Sequence, residues 1–411
     1  MSLQQEHDSA QHPEPLAYPF WTTEGLGLHS DYRPLRDQPL ARVRLPYGED
    51  AWLAVRHEDV RSVLSDARFS LAEAVRRDQP RISPMPRTGG GGLISIDAPD
   101  HTRMRSLLSK EFTARRIELL RDRIRAIADE LLDRMEETGP PSDLVEDFAF
   151  PLPMTLICEL VGVPYADHRH VRDWADTVCS GSAPPQAIQR QAAEFFALMG
   201  GWVEARRREP ADDLLTILVQ ACDRDESITE EELTGVLNEL LVGGFVTTTN
   251  QIANFFSLLL LPAEGDEDLL ARLRAEPGLV PKAVEELLRY VPLLNGLTLP
   301  RYATEDVELG GVLVRAGEPV VISQAAANRD PDVFPDPDRL VLDRPVTAQH
   351  VSFGHGIHYC LGAHLARLEL QVALEQVMTR MPELRLAVPV EELRWRSKEF
   401  FSGLRELPVS W

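Results

Sequence analysis

Apolar residues recur every three to four positions over most of the stretch from Ala98 to about Leu260, which places them along one side of α-helices. The repeat is interrupted at Gly139-Pro140-Pro141, Pro164, Ser182-Ala183-Pro184-Pro185 and Pro210, where fixed φ angles and missing N–H groups stop helical hydrogen bonding. The middle of the chain therefore reads as a succession of helices. Nearer the N-terminus, Arg42 to Pro46 and Ala51 to Val55 read as a strand pair, and His57 to Leu64 as a short helix. Several prolines and the run Gly89-Gly90-Gly91-Gly92 make Ser70 to Gly92 a flexible loop of the kind that covers a binding site. Beyond Pro300 the elements are short and extended, around Val307 to Leu309, Val312 to Val314 and Pro319 to Ile322. The fold expected is mainly α with a small β portion.

Residues 1–18 are polar and proline-dotted and are expected to form a mobile tail ahead of a single domain over residues 19–411. No run of about 18 apolar residues occurs and the N-terminus lacks an apolar signal core, so a cytoplasmic protein without a membrane partner is expected. With 43 basic against 65 acidic side chains the formal charge is −22, which disfavours nucleic acid as a partner. The four cysteines, Cys158, Cys179, Cys222 and Cys360, are far apart and show no paired spacing, so neither a disulfide framework nor a tetrahedral zinc site is indicated.

Cys360 differs from the other three in its surroundings. It closes the run Phe353-Gly354-His355-Gly356-Ile357-His358-Tyr359-Cys360, and Leu361, Leu365, Leu368 and Val372 then follow at helical spacing. A cysteine at the start of a helix meets free N–H groups and the positive end of the dipole, both of which favour the metal-binding thiolate. Gly354 and Gly356 allow a crowded loop before it, and Gly362 leaves room for a flat ring against the first turn.

Phe353, Gly356, Cys360 and Gly362 together resemble the haem-binding signature of the cytochrome P-450 family, and His358 two residues before the cysteine resembles its bacterial members. The resemblance implies the fold of that family, a long helix over the haem and the cysteine loop beneath it. It also implies haem b as cofactor, with Cys360 as axial ligand of the iron. Glu286-Leu287-Leu288-Arg289 resembles the family's Glu-x-x-Arg motif and stands 74 residues ahead of the cysteine, where the family has it; Glu286 and Arg289 would be structural. The same pattern at Glu118 to Arg121, Glu204 to Arg207 and Glu391 to Arg394 is read as solvated helix surface, whereas Asn328 to Asp338 resembles the family's meander.

Leu240 to Thr248 resembles the family's kinked central helix, with Gly244, Thr247 and Thr248 as its catalytic positions. Two glycines within a helix each cost about 1 kcal/mol relative to alanine and so imply a packing or functional reason. The family's acidic residue before the threonine is absent, and Val246 stands there. Proton delivery is then expected through Thr247, Thr248, ordered water or a polar group of the substrate, or else the reaction depends less on oxygen insertion, as in radical coupling or ring closure. His101, Arg105, Arg301 and His358 match in order the family's partners for the haem carboxylates, with Phe353 and Gly354 beside them in the cysteine loop.

The resemblance further implies a monooxygenase that oxidises a bulky, mostly apolar small molecule in secondary metabolism. Radical carbon–carbon coupling or ring formation is the second reading, and a haem-thiolate sensor the one outside the enzyme class. Phe245, Val246, Leu294 and Phe400 are the expected substrate-pocket residues. No flavin, nicotinamide or iron–sulfur pattern occurs, so electrons from NAD(P)H are expected through a separate ferredoxin and ferredoxin reductase. An acidic ferredoxin would dock on Arg103, Lys110, Arg115, Arg116 and Arg367 of a monomer.

Overall fold

The computed structural model describes residues 14–21, 25–86, 91–224, 227–261, 268–294, 299–345, 349–396 and 399–411. Seven helices position the site: α1 (His57–Ser65), α2 (Asp100–Ser109), α3 (Arg121–Thr138), α4 (Pro151–Val161), α5 (Glu230–Leu260), α6 (Val280–Tyr290) and α7 (Ala363–Arg380). Their breaks fall where the sequence places them. Gly139 and Gly162 terminate α3 and α4 with positive φ, and Pro151 opens α4 at a position where its missing N–H costs nothing.

The 31 residues of α5 span about 46 Å and form the axis of the molecule. A capping box starts the helix: the Thr229 hydroxyl accepts the Glu232 N–H and the Glu232 carboxylate accepts the Thr229 N–H. Three glutamates in its first turn face the positive end of its dipole. The helix packs along α4 and crosses α7, which in turn packs on α3 and α6. The helical assignment of α5 runs unbroken through Gly243 and Gly244. Gly244 has a packing reason, because a Cβ there would stand 2.5 Å from Ile157 Cγ1 on α4.

The larger sheet contains β1 (Leu16–Ala17), β2 (Leu40–Arg44), β3 (Ala51–Ala54), β4 (Phe69–Ser70), β5 (Arg301–Ala303) and β6 (Pro319–Ile322), in the order β1-β2-β3-β6-β5-β4. The predicted hairpin of β2 and β3 is antiparallel with Arg42 opposite Trp52, and β3 continues parallel to β6 through Trp52 and Val320. Val307–Leu309 and Val312–Val314 form a separate hairpin through Gly310-Gly311, both at positive φ. The boundary expected at Tyr18 lies inside the fold: Leu16 and Ala17 pair with Val43 and Arg44, and Tyr18 is buried against Phe20 and Tyr32. Residues 1–13 of the expected tail lie outside the described residues. Among the described residues no helix is long and apolar enough to cross a membrane.

Candidate functional site

A cavity of about 390 Å³ opens between α5, the start of α7 and the β4–β5 end of the sheet. Cys360 forms part of its wall, held by a hydrogen bond from its N–H to Phe353 O at 2.9 Å. The helix itself begins at Ala363, so Cys360 lies in the turn that leads into it. Gly354 and Gly356 take positive φ (75° and 72°), and a Cβ on Gly356 would stand 2.5 Å from Leu64 O, so α1 sits against the loop at the distance only glycine permits. Gly362 has open space where its Cβ would be and faces the same cavity. The Cys360 sulfur is accessible toward the cavity and enclosed elsewhere. That enclosure raises the thiol above its ordinary range, against the Gly362 N–H and the charges of Arg105 and Arg367, all of which favour the thiolate. A metal bonded to sulfur would deprotonate it outright.

His101, Arg105, Arg301 and His358 gather along one edge of this wall. The rings of His101 and His358 lie 4.2 Å apart, and Arg105 donates to Tyr359 O at 2.6 Å. Burial pulls His358 down to about 3, aided by the nearby His101, Arg301 and Arg105, and it lowers His101 in the same way. Arg301 is 5% exposed, and its guanidinium makes no hydrogen bond or ion pair among the described residues; burial lowers it to about 10. His101 Nε2 is likewise buried without a partner. A buried guanidinium and a buried ring nitrogen without protein partners, beside two further cationic or polar groups, are costly unless a ligand, best an anion, completes them. The edge thus fits a group bearing carboxylates, the open face at Gly362 fits a flat one, and the thiol fits a metal at its centre. These are the features of haem.

Along α5 the cavity is lined by Glu239, Gly243, Thr247 and Gln251, one turn apart, with Gly244 and Thr248 beside them. The Thr247 hydroxyl donates to Gly243 O at 3.0 Å and the Asn250 amide donates to Val246 O at 2.7 Å, so both carbonyls of this turn accept a side chain. Leu294 lines the cavity as expected. Three expected pocket residues do not. Phe245 is buried edge-on to Phe150 at 5.6 Å on the side of α5 away from Gly243 and Thr247, and Val246, at the margin of that face, packs against the main core. Phe400 packs beside the small cluster of Tyr18, Phe20 and Ile82. Gly89 and Gly90 of the predicted loop and residues 295–298 lie outside the described residues. Leu93 and Ile94 after that loop do reach the cavity, tied to α5 where the Ile94 N–H donates to Glu239.

Glu286 and Arg289 lie outside the cavity as a buried pair at 2.7 Å. Arg344, unforeseen from sequence, joins Glu286 at 3.0 Å, and Arg289 holds the carbonyls of Asn328 and Pro337 at 2.9 Å. The meander is thereby bound to α6. The repeat of the motif at Glu118 and Arg121 is an exposed pair, as expected.

Glu369 and Gln251 also escaped the sequence reading. Glu369 is 1% exposed in the cavity wall with no side-chain hydrogen bond among the described residues, and Gln251 Oε1 is a second buried atom without a partner among them. Burial pushes the Glu369 carboxyl well above its ordinary range, which favours its protonated form. Its signal was present: a glutamate on the apolar stripe of Leu361, Leu365, Leu368 and Val372.

Residues 186–382 match the family model described as cytochrome P450. The chain is 50% identical to a mycinamicin IV hydroxylase/epoxidase of Micromonospora griseorubida over 97% of its own length and 99% of the relative's. Two solved structures cover nearly the whole chain. One is HinD with NMFT and NO, with TM-score 0.92 and 46% identity over 97% of this chain and all of that one. The other is a cytochrome P450mel 107F1 with biaryl coupling reactivity, with TM-score 0.89 and 41% identity over 95% of this chain and 98% of that one.

Proposed function

The chain belongs to the cytochrome P450 family, and on that premise we propose that Cys360 ligates haem iron, with Arg301, His101, Arg105 and His358 receiving the haem carboxylates. The enzyme is a haem-dependent oxidoreductase that activates O₂ to oxidise a small molecule in natural-product biosynthesis, and it draws electrons through redox partners. The observation that carries the residue assignment is the meeting of the Cys360 thiol, the open face at Gly362 and the unpaired Arg301 in one cavity wall.

When bound, haem supplies reductive activation of O₂ and an oxidant able to attack a C–H bond. The chain's own residues set the conditions. Arg301 and Arg105 orient the group by its carboxylates, and Leu240, Leu293, Leu294 and Leu299 exclude water and favour an apolar substrate. Thr247 uses its proton on Gly243 O, which leaves its oxygen to accept from water or substrate. Val246 leaves no acid before it. Glu369 offers one from α7: burial favours its protonated carboxyl, and Gln251 Oε1 and Thr248 lie in the same wall to pass a proton on through ordered water.

Hydroxylation of a C–H bond is the leading reaction. Coupling without oxygen insertion is the second reading, supported by Val246 and by the similarity to an enzyme of biaryl coupling reactivity. Ferredoxin is the proposed donor, but its docking surface differs from the expected set. Arg103 pairs with Glu232 and Asp100, Arg116 with Glu111 and Arg367 with Glu285, so these cations are already neutralised. Lys110 and Arg115 are exposed without an ion pair among the described residues, and Leu119 close by is 78% exposed; these three form the favoured contact.

The test is the carbon monoxide difference spectrum of the reduced protein, with Cys360→Ala beside it. A thiolate-type Soret band in the wild type and its loss in the variant are expected; its absence from the wild type would sink the assignment. Turnover under ¹⁸O₂ then separates the reactions, since hydroxylation places label in the product and coupling does not.

A further inference from the structure

Next to the Cys360 loop, Arg367 belongs to a set of side chains whose other members the preceding chemistry does not use. Arg367 on α7 donates Nε to Glu285 Oε1 at 2.6 Å and Nη2 to Glu285 Oε2 at 3.0 Å, a two-pronged pair. Its Nη1 reaches the Tyr359 hydroxyl at 3.1 Å, and its guanidinium carbon stands 4.5 Å from the centre of the Phe353 ring. Tyr359 precedes the cysteine, and Phe353 accepts the Cys360 N–H on its carbonyl. The Arg367 cation therefore touches both ends of the loop that presents the sulfur.

Glu285, on α6, takes a further hydrogen bond from His350 Nε2 at 3.1 Å. The Ser352 N–H donates to His350 Nδ1 at 3.2 Å, which directs the ring's Nε2–H at Glu285. Burial alone would raise the Glu285 carboxyl, but His350 and Arg367 outweigh it and hold it down at about 2, so it stays ionised at neutral pH. Arg367 and Glu285 thus form a pair of opposite charges, the cation against the loop and the anion behind it. The Arg367 and His350 side chains are 18% and 7% exposed, which leaves their fields only partly screened, while Glu285 is the outer member at 38%.

We propose that Glu285 is a positioning residue for the thiolate, holding Arg367 against the Cys360 loop while cancelling its charge, and that this balance sets the reduction potential of iron bound to Cys360. The inference rests on Cys360 being the iron ligand. A cation close to the sulfur stabilises the electron-richer, reduced state, and an anion does the reverse. Removing only the anion should raise the potential; removing only the cation should lower it. A pair that merely clamps α6 to α7 predicts lower stability in both variants, without potential shifts of opposite sign.

The experiment is a spectroelectrochemical titration of the haem-loaded protein as wild type, Glu285→Gln, Arg367→Gln and the double variant. We expect a positive shift, a negative shift and a near return to the wild-type value in the double variant, each with the thiolate-type carbon monoxide band retained. Unmoved potentials, or shifts of the same sign in the two single variants, overturn the proposal. If one single variant fails to retain haem, the sign of the other decides; if neither single nor the double variant retains it, the pair is a clamp and the proposal falls. Failure of the haem-thiolate reading looks different, because the wild type would then lack the band.

Discussion

At the scale of single residues, the side chains that matter most are those left without protein partners. A buried donor or carboxyl without a hydrogen bond costs about 1–3 kcal/mol, so Arg301, His101 and Glu369 are tolerable only where a ligand or water completes them. Arg301→Gln keeps a donor but removes the charge, and a charge-assisted bond is worth about 1.5–3 kcal/mol; apparent haem affinity, measured by transfer to apomyoglobin, should fall roughly 10- to 100-fold. Glu369→Gln keeps shape and polarity but cannot deliver a proton. It should leave the carbon monoxide spectrum intact, slow product formation and divert NADPH consumption into hydrogen peroxide. Unchanged coupling between NADPH and product would show that protons arrive by another route. Arg301 was legible from sequence because it falls in an ordered series of cationic positions. Glu369 was only partly legible: it falls on the apolar stripe of α7, but a glutamate on a helix is usually solvated, and only the packing of α7 against α5 shows that this one is buried.

Among the elements, α5 and α6 show two ways in which a local motif acquires meaning from its neighbours. Gly244 reads as a helix weakener, yet the neighbouring α4 makes it a spacer. Gly244→Ala would drive a methyl group into Ile157, and overpacking of this kind costs about 1–3 kcal/mol, read as a lowered melting temperature of the haem-loaded protein. Glu286→Ala would strand Arg289 and Arg344 in the interior, a change that typically costs about 3–5 kcal/mol, whereas Glu118→Ala in the identical tetrapeptide should cost almost nothing. Comparison of their denaturant midpoints checks both. Glu285 adds a pH signature to α6. Its folded value of about 2 lies below the ordinary 4.5, so its contribution to stability is present above about pH 4.5 and is lost as the pH falls toward 2. Glu285→Gln should flatten the acid limb of unfolding free energy over that window, and an unchanged limb would show that the carboxylate does not couple to folding.

For the molecule as a whole, the charge of −22 makes local basic surface scarce, so a negatively charged donor should be steered to the few unpaired cations. Lys110→Glu with Arg115→Glu should slow ferredoxin-driven reduction several-fold at low salt and weaken its ionic-strength dependence, whereas Arg367→Glu should act through haem potential and stability; stopped-flow reduction at two salt concentrations separates them. Pattern along the chain determined the succession of helices, the β2–β3 hairpin, the cysteine loop and the order of the cationic residues, because each depends on spacing within a few residues or on a motif met in sequence. Only the tertiary structure decided that Arg344 joins the buried Glu286–Arg289 pair, that Phe245, Val246 and Phe400 do not line the cavity, that Arg103 and Arg367 are already paired, and that Glu369 is buried without a hydrogen bond among the described residues. Those properties depend on which elements pack against which face, and residues far apart in sequence supply the partners.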